Sequence, residues 1–182
     1  MLALHSALAS VLLTGCSSLD SQPAEPSTAA PPPAALEAPS VEQPLNAVGL
    51  NSCATLDSVQ LQHLGLDERS ATDYSTNIAT GCAWTANSGA FLATVGLRTD
   101  AGVQLAYDIQ DSFPAFVVAE IEGYPAVYLD QADAITCRFW TGVADDQSFI
   151  AEVRSLDFTA PPLCEKAEAL ASEVIDALRE RS

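Results

Sequence analysis

The chain has 182 residues, of which 24 are acidic and seven basic, for a formal net charge of −17, and 48% of it is hydrophobic. That apolar share is globular, so a packed core is expected, and the length allows one ordinary domain once a leader and a linker are set aside. A surface this acidic repels phosphate backbones and anionic headgroups, which argues against nucleic acid as a partner and for a folded part that stands off a bilayer.

Residues 2–13 form an apolar run that leads into Leu12-Leu13-Thr14-Gly15-Cys16. A run of that length suits a signal h-region and is too short to span a bilayer as a permanent helix. A small residue and then cysteine at its end has the pattern of a bacterial lipobox. Cleavage before Cys16 and a diacylglycerol on its thiol would hold the protein on the extracytoplasmic face of the cell membrane. Met1-Leu2-Ala3-Leu4-His5 lacks the Lys or Arg of a usual n-region, so the true translation start is expected upstream. Ser17 to Pro44 carries seven of the chain's 11 prolines, with no helical or strand period. It reads as a disordered, partly polyproline tether that could reach roughly 85 Å when extended. The expected order is a signal peptide over 1–15, a lipidated Cys16 with a Pro/Ala-rich tether over 16–44, and a globular domain over 45–182.

Within that domain, Ser52 reads as the N-cap of a helix over Cys53 to Leu64, with Gly65 as its stop. Asp67 to Thr80 is polar and turn-rich. A strand is expected around Cys82-Ala83-Trp84-Thr85, then a turn at Asn87-Ser88-Gly89. Phe91, Ala93, Val95 and Leu97 alternate with Leu92, Thr94, Gly96 and Arg98, the period of a half-buried strand. Asp100 can cap a short helix over Ala101 to Gln110. Phe116 to Ile121 reads as a strand, broken at Gly123-Tyr124-Pro125 before a short strand through Val127 to Leu129. Ala134 to Gly142 and Ser148 to Leu156 read as a hairpin about an acidic turn at Asp145-Asp146. Pro161-Pro162 ends the strand region. Cys164, Ala167, Leu170, Ala171, Val174, Ile175 and Leu178 then recur at helical spacing, the strongest periodic signal in the chain. Helices around a run of strands predict an α+β domain, a mainly antiparallel sheet packed by helices.

Four cysteines remain beyond Cys16: Cys53, Cys82, Cys137 and Cys164. An even number in an exported domain reads as two disulfides. Of the three pairings, Cys53–Cys82 with Cys137–Cys164 is preferred, because each bridge would join a helix start to a strand within one half of the domain. A four-thiolate zinc site would need close C-x-x-C spacing, which is absent, as it is for a redox-active pair.

Catalytic signals are thin. His63 is the one histidine beyond the leader; it falls at a helix end beside Leu64 and Gly65, and no G-x-S-x-G accompanies it, so cap packing is its expected role. Glu120 and Glu122 lie two apart on an expected strand and could share a face. Paired carboxylates do acid–base work only in a cleft with a raised pKa, so a solvated strand end is preferred. Asp130, Asp133, Asp145 and Asp146 lack the order of a calcium loop. Neither a metal nor a cofactor is expected. Trp84 should pack over its neighbouring bridge. Trp140 falls on the strand face opposite Cys137, and is expected in the core; if exposed with Tyr124 and Tyr128, it would form an aromatic binding surface.

Gly81-Cys82-Ala83-Trp84, Gly123-Tyr124-Pro125-Ala126, Cys137 and Cys164-Glu165-Lys166-Ala167 follow one another in a set order behind the lipobox and tether. In that order the chain resembles the actinobacterial lipoproteins grouped as domain-of-unknown-function family 3558. The resemblance covers Cys53 to the C-terminus and implies an envelope-facing lipoprotein with paired cysteines and an α/β/α sandwich of the Mog1/PsbP kind. It brings no activity and no catalytic residues. The expected function is a non-enzymatic, lipid-anchored module that binds an envelope protein partner. The alternative is a carrier of a small apolar ligand or lipid, which would need an enclosed cavity between sheet and helix. An enzyme comes last.

Overall fold

The structure is a computed structural model in which residues 36–76, 79–129, 135–157 and 162–182 are described. Cys16 and most of the expected tether lie outside them. Seven strands form one antiparallel sheet: β1 (Thr72–Asp73), β2 (Thr80–Thr85), β3 (Phe91–Arg98), β4 (Phe116–Ile121), β5 (Tyr124–Leu129), β6 (Thr136–Ala144) and β7 (Gln147–Ser155). Their order across the sheet is β1-β2-β3-β7-β6-β5-β4. After β3 the chain therefore crosses to the far edge through helix α2 (Gln104–Asp108), then returns strand by strand until β7 pairs with β3.

Period-two alternation separates the two faces. Cys82, Trp84, Phe91, Ala93, Val95, Leu97, Phe139, Phe149, Ala151 and Val153 fall on one face and are buried. Helix α3 (Leu163–Arg179) lies on it over β6 and β7, burying the stripe Ala167, Leu170, Ala171, Val174, Ile175 and Leu178. Helix α1 (Ser58–Leu64) packs beside α3. The other face is covered by α2 only at the β5–β6 end, where Val103, Ala106 and Tyr107 meet Val127, Leu129 and Trp140. The α+β class expected from the sequence is the one observed, with this second helical layer partial.

Several boundaries move, each for a local reason. The helix expected over Cys53 to Leu64 is two pieces, a 3-10 turn over Ser52–Ala54 capped by Asn51 and then α1. Asp57 restarts the helix: its carboxylate accepts from Val59 and Gln60 N–H while the Gln60 side chain accepts from Asp57 N–H, a reciprocal capping box. Asp100 does not cap α2 but faces Arg98 at 3.4 Å. Nothing breaks β5 before Val127, because Glu122 and Gly123 make a two-residue turn and the strand begins at Tyr124.

Both bridges of the preferred pairing are present, Cys53–Cys82 and Cys137–Cys164, with Cα atoms 4.9 and 5.1 Å apart. The first holds the Ser52–Ala54 turn against β2; the second holds the first turn of α3 against β6.

The chain is seated on the domain well before Leu45. The Gln104 side chain accepts from Ala38 N–H at 2.7 Å, and Tyr124 Oη donates to Gln43 O at 3.0 Å. Leu45 N–H then donates to Val143 O at 2.8 Å. The last residues of the stretch expected to be tether thus form a strap from α2 across the sheet end to the β4–β5 turn.

Candidate functional site

The described residues that most invite a partner are at the outer edge of β4 and the turn that ends it. The register pairs Ile121 with Tyr124, Ala119 with Ala126 and Val117 with Tyr128. A two-residue hairpin turn closes on a hydrogen-bonded pair, and hydrogen-bonded and open pairs alternate from there. Val117, Ala119 and Ile121 therefore use their N–H and C=O groups on β5, and those of Val118 and Glu120 point outward from the sheet. Pro125, opposite Glu120, fits this pattern: its missing N–H falls on the β6 side, where pairing begins only at Ala126.

The side chains of this edge are open on both faces. Val117, on the face of α3, is 45% exposed, α3 lying chiefly over β6 and β7 and touching β4 less; Val118, on the face of α2, is 56% exposed, and Phe116 is the β4 residue packed into the α2 cluster. Tyr107 meets Phe116 edge-on at 5.1 Å and closes the apolar cluster there. The two exposed valines thus put one apolar side chain on each face of the same sheet edge.

At the end of β4 both turn residues take positive φ, 53° at Glu122 and 85° at Gly123, as a primed hairpin turn requires. Arg179, in the last turn of α3, braces it. Its Nη2 donates to Glu122 O at 2.8 Å, its Nη1 to Asp176 Oδ1 at 2.8 Å, and Glu122 Oε2 is 3.7 Å away. The guanidinium also lies 5.5 Å from the centre of the Tyr124 ring. Burial works against the Arg179 charge, but Asp176, which accepts its hydrogen bond, and the neighbouring Tyr124 outweigh it and raise its pKa. An open cleft of about 290 Å³ results, lined by Glu42, Gln43, Glu122, Gly123, Tyr124 and Arg179. With its one cation already engaged and two carboxylates on its walls, the cleft suits hydrogen-bond donors and cations.

The profile described as Protein of unknown function (DUF3558) matches residues 11–177. The chain belongs to this family. No curated protein and no solved structure matches it. The DUF3558 match runs from the apolar stretch before Cys16 through almost all of α3, so it takes in both disulfides and the whole sheet.

Within the DUF3558 domain, the aromatic trio of the sequence analysis is not a surface. Trp140 and Tyr124 are each only 4% exposed. They lie on opposite faces, Trp140 under α2 and Tyr124 with Tyr128 on the α3 side. Tyr128 is half-buried against Phe139 at 4.1 Å, and burial first and Glu168 second raise its pKa. Glu120 and Glu122 also part company, because Glu122 sits in the turn and is turned to Arg179 while Glu120 points to solvent from β4. His63 ends α1 and faces Glu173 at 3.6 Å, away from both valines and cleft. Asp145 and Asp146 form the β6–β7 turn, and Asp130 and Asp133 lie outside the described residues. Among the described residues no cluster of metal-ligating side chains occurs. Trp84 is fully buried beside Cys82, as expected.

The Val117-Val118 pair went unnoticed in the sequence because Phe116 to Ile121 reads simply as a strand, and its place in the sheet is not written in that run. The signal that could have raised it is the single Glu120, a charge in an otherwise apolar strand, which suits an edge better than a centre.

Proposed function

We propose that this protein is a tethered cell-envelope module that binds a protein partner at the free edge of its sheet. The observation that carries the reading is the exposed Val117-Val118 pair on β4, which among the described residues is an edge strand with a neighbour on one side only. The anchoring half rests on sequence, on the lipobox pattern at Cys16 with the Pro-rich stretch behind it, and on the resemblance to lipoproteins. No described helix is long and apolar enough to cross a membrane. A lipid on Cys16 would supply the attachment, and the acidic surface would keep the domain clear of anionic headgroups.

A carrier role is less well supported. The apolar seam between sheet and helices, lined by Leu64, Leu66, Phe91, Ala93, Val153, Lys166 and Leu170, has no space for a water-sized guest. A catalytic role would need a nucleophile or acid–base pair converging in a cleft, and the cleft at Glu122 pairs its carboxylate with a bracing arginine instead.

The test is native mass spectrometry of the full chain, gently extracted from its own membrane. The expected result is a diacylglycerol mass on Cys16 and a protein bound at fixed stoichiometry. A bound lipid or small molecule in place of a protein would reverse the order of the two readings, and an unmodified Cys16 would remove the anchor.

A further inference from the structure

We propose that the partner docks as an extended segment that pairs with β4 as an eighth strand and carries basic residues between apolar ones. The proposal rests on the protein-binding reading above and supplies its mode and chemistry. The backbone argument comes first. Val118 and Glu120 direct N–H and C=O groups away from β5, and among the described residues no backbone group meets them. An unpaired row of this kind is a template for another strand.

The two edges of the sheet differ in how they meet this hazard. β1, at the opposite edge, is only two residues long, too short to recruit a strand. β4 runs for six residues without proline, lysine or a register shift. Glu120 is its one charge.

Charge then selects the occupant. Glu120 lies on the edge itself, Glu42 and Glu122 line the cleft at its end, and Glu168 acts on Tyr128, the register partner of Val117. The nearby cation, Arg179, already holds Glu122 and Asp176. A second copy of the chain would bring another −17 to the same edge, which works against self-association. A basic strand meets no such opposition. Side chains two apart on a strand share a face, so the fitting segment sets an apolar residue beside Val118 and a Lys or Arg beside Glu120 on that face.

Binding of a fluorescent Lys–Val octapeptide, a Val-Val-Lys-Lys repeat that sets valine and lysine two apart on each face, to the full-length protein, followed by anisotropy at physiological salt, tests this directly. The Lys–Val peptide is expected to bind. A copy N-methylated on its β4-facing amides, and a Glu–Val copy, should each bind about tenfold more weakly or worse, since both lose complementary groups. Val118→Pro removes an outward N–H that β5 does not use, so it should weaken the Lys–Val peptide without loosening the β4–β5 hairpin. Glu120→Lys should invert the preference toward the Glu–Val peptide. No binding of the Lys–Val peptide, or equal binding of the N-methylated copy, which needs no variant, would overturn strand addition. A co-purifying partner retained in full by Val118→Pro would overturn it too, while leaving the protein-binding reading intact; wild-type protein that carries no protein partner would remove that reading instead.

Discussion

The Ser148 hydroxyl joins three parts of the second face: it accepts from Trp140 Nε1 at 2.8 Å and donates to Ala101 O at 2.7 Å, so β6, β7 and the approach to α2 share one atom. Ser148 and Trp140 are buried, and a buried donor left without an acceptor retains its full desolvation cost. Ser148→Ala is expected to lower stability by about 1–3 kcal/mol, read as a lower urea midpoint at unchanged slope. The Tyr107 and Tyr128 phenols make a second prediction. Burial raises the pKa of Tyr107, and burial with Glu168 raises that of Tyr128, above the ordinary 10.0. The neutral forms are thus favoured by folding. Their contribution is complete below the unfolded value and is lost as pH rises through the raised folded values. Stability should hold up to about pH 10 and fall beyond it. Phenolate absorbance from these two residues appearing below that point, with stability unchanged, would contradict the assignment. Trp140 shows what residue-level reading can do: the alternation that puts it opposite Cys137 was legible, and its burial was not, because α2 had to be placed first.

Helix α3 begins at Leu163 with Pro162 before it and no side-chain cap. The Cys137–Cys164 bridge falls in its first turn and takes over the role of fastening that end to the sheet. Replacing both cysteines by alanine should cost about 2–4 kcal/mol. Amide exchange should rise first in residues 163–167, with the α1 capping box unaffected. A uniform rise across the domain would show that the bridge acts on the unfolded chain alone. Elements with a clean period were legible: β3 and β4 span the residues the sequence assigns to them, and α3 follows its heptad-like stripe. Elements set by a single turn were not. The Asp57 capping box splits the first helix, and the positive φ at Glu122 and Gly123 converts an expected break into a hairpin. Each turns on one or two residues, against which a period averaged over ten has little resolution.

At the scale of the whole molecule, 24 acidic residues against seven basic ones leave a folded chain that repels itself. Salt should therefore stabilise it. The thermal midpoint is expected to rise as ionic strength goes from about 0.01 to 0.15 M, over which the screening length falls from about 30 to 8 Å. A midpoint that stays constant or falls would mean that the ion pairs, such as Arg138 with Glu152 at 2.6 Å, outweigh the general repulsion. The strap of residues 36–44 belongs to this scale as well. Its composition reads as linker, yet its backbone is held by Gln104 and Tyr124, partners distant in sequence.

The sequence by itself determined the class of the fold, the two faces of a cleanly alternating strand such as β3, the acidic surface and the cysteines available for bridging, because each follows from composition or from a period of two or 3.6 residues along the chain. Only the tertiary structure decided the order of strands across the sheet. Alternation distinguishes up from down but carries nothing about left and right, and lateral order is set by pairing between strands as distant as β3 and β7. That order alone makes β4 an edge among the described residues, and so exposes the two valines on which the proposed function depends.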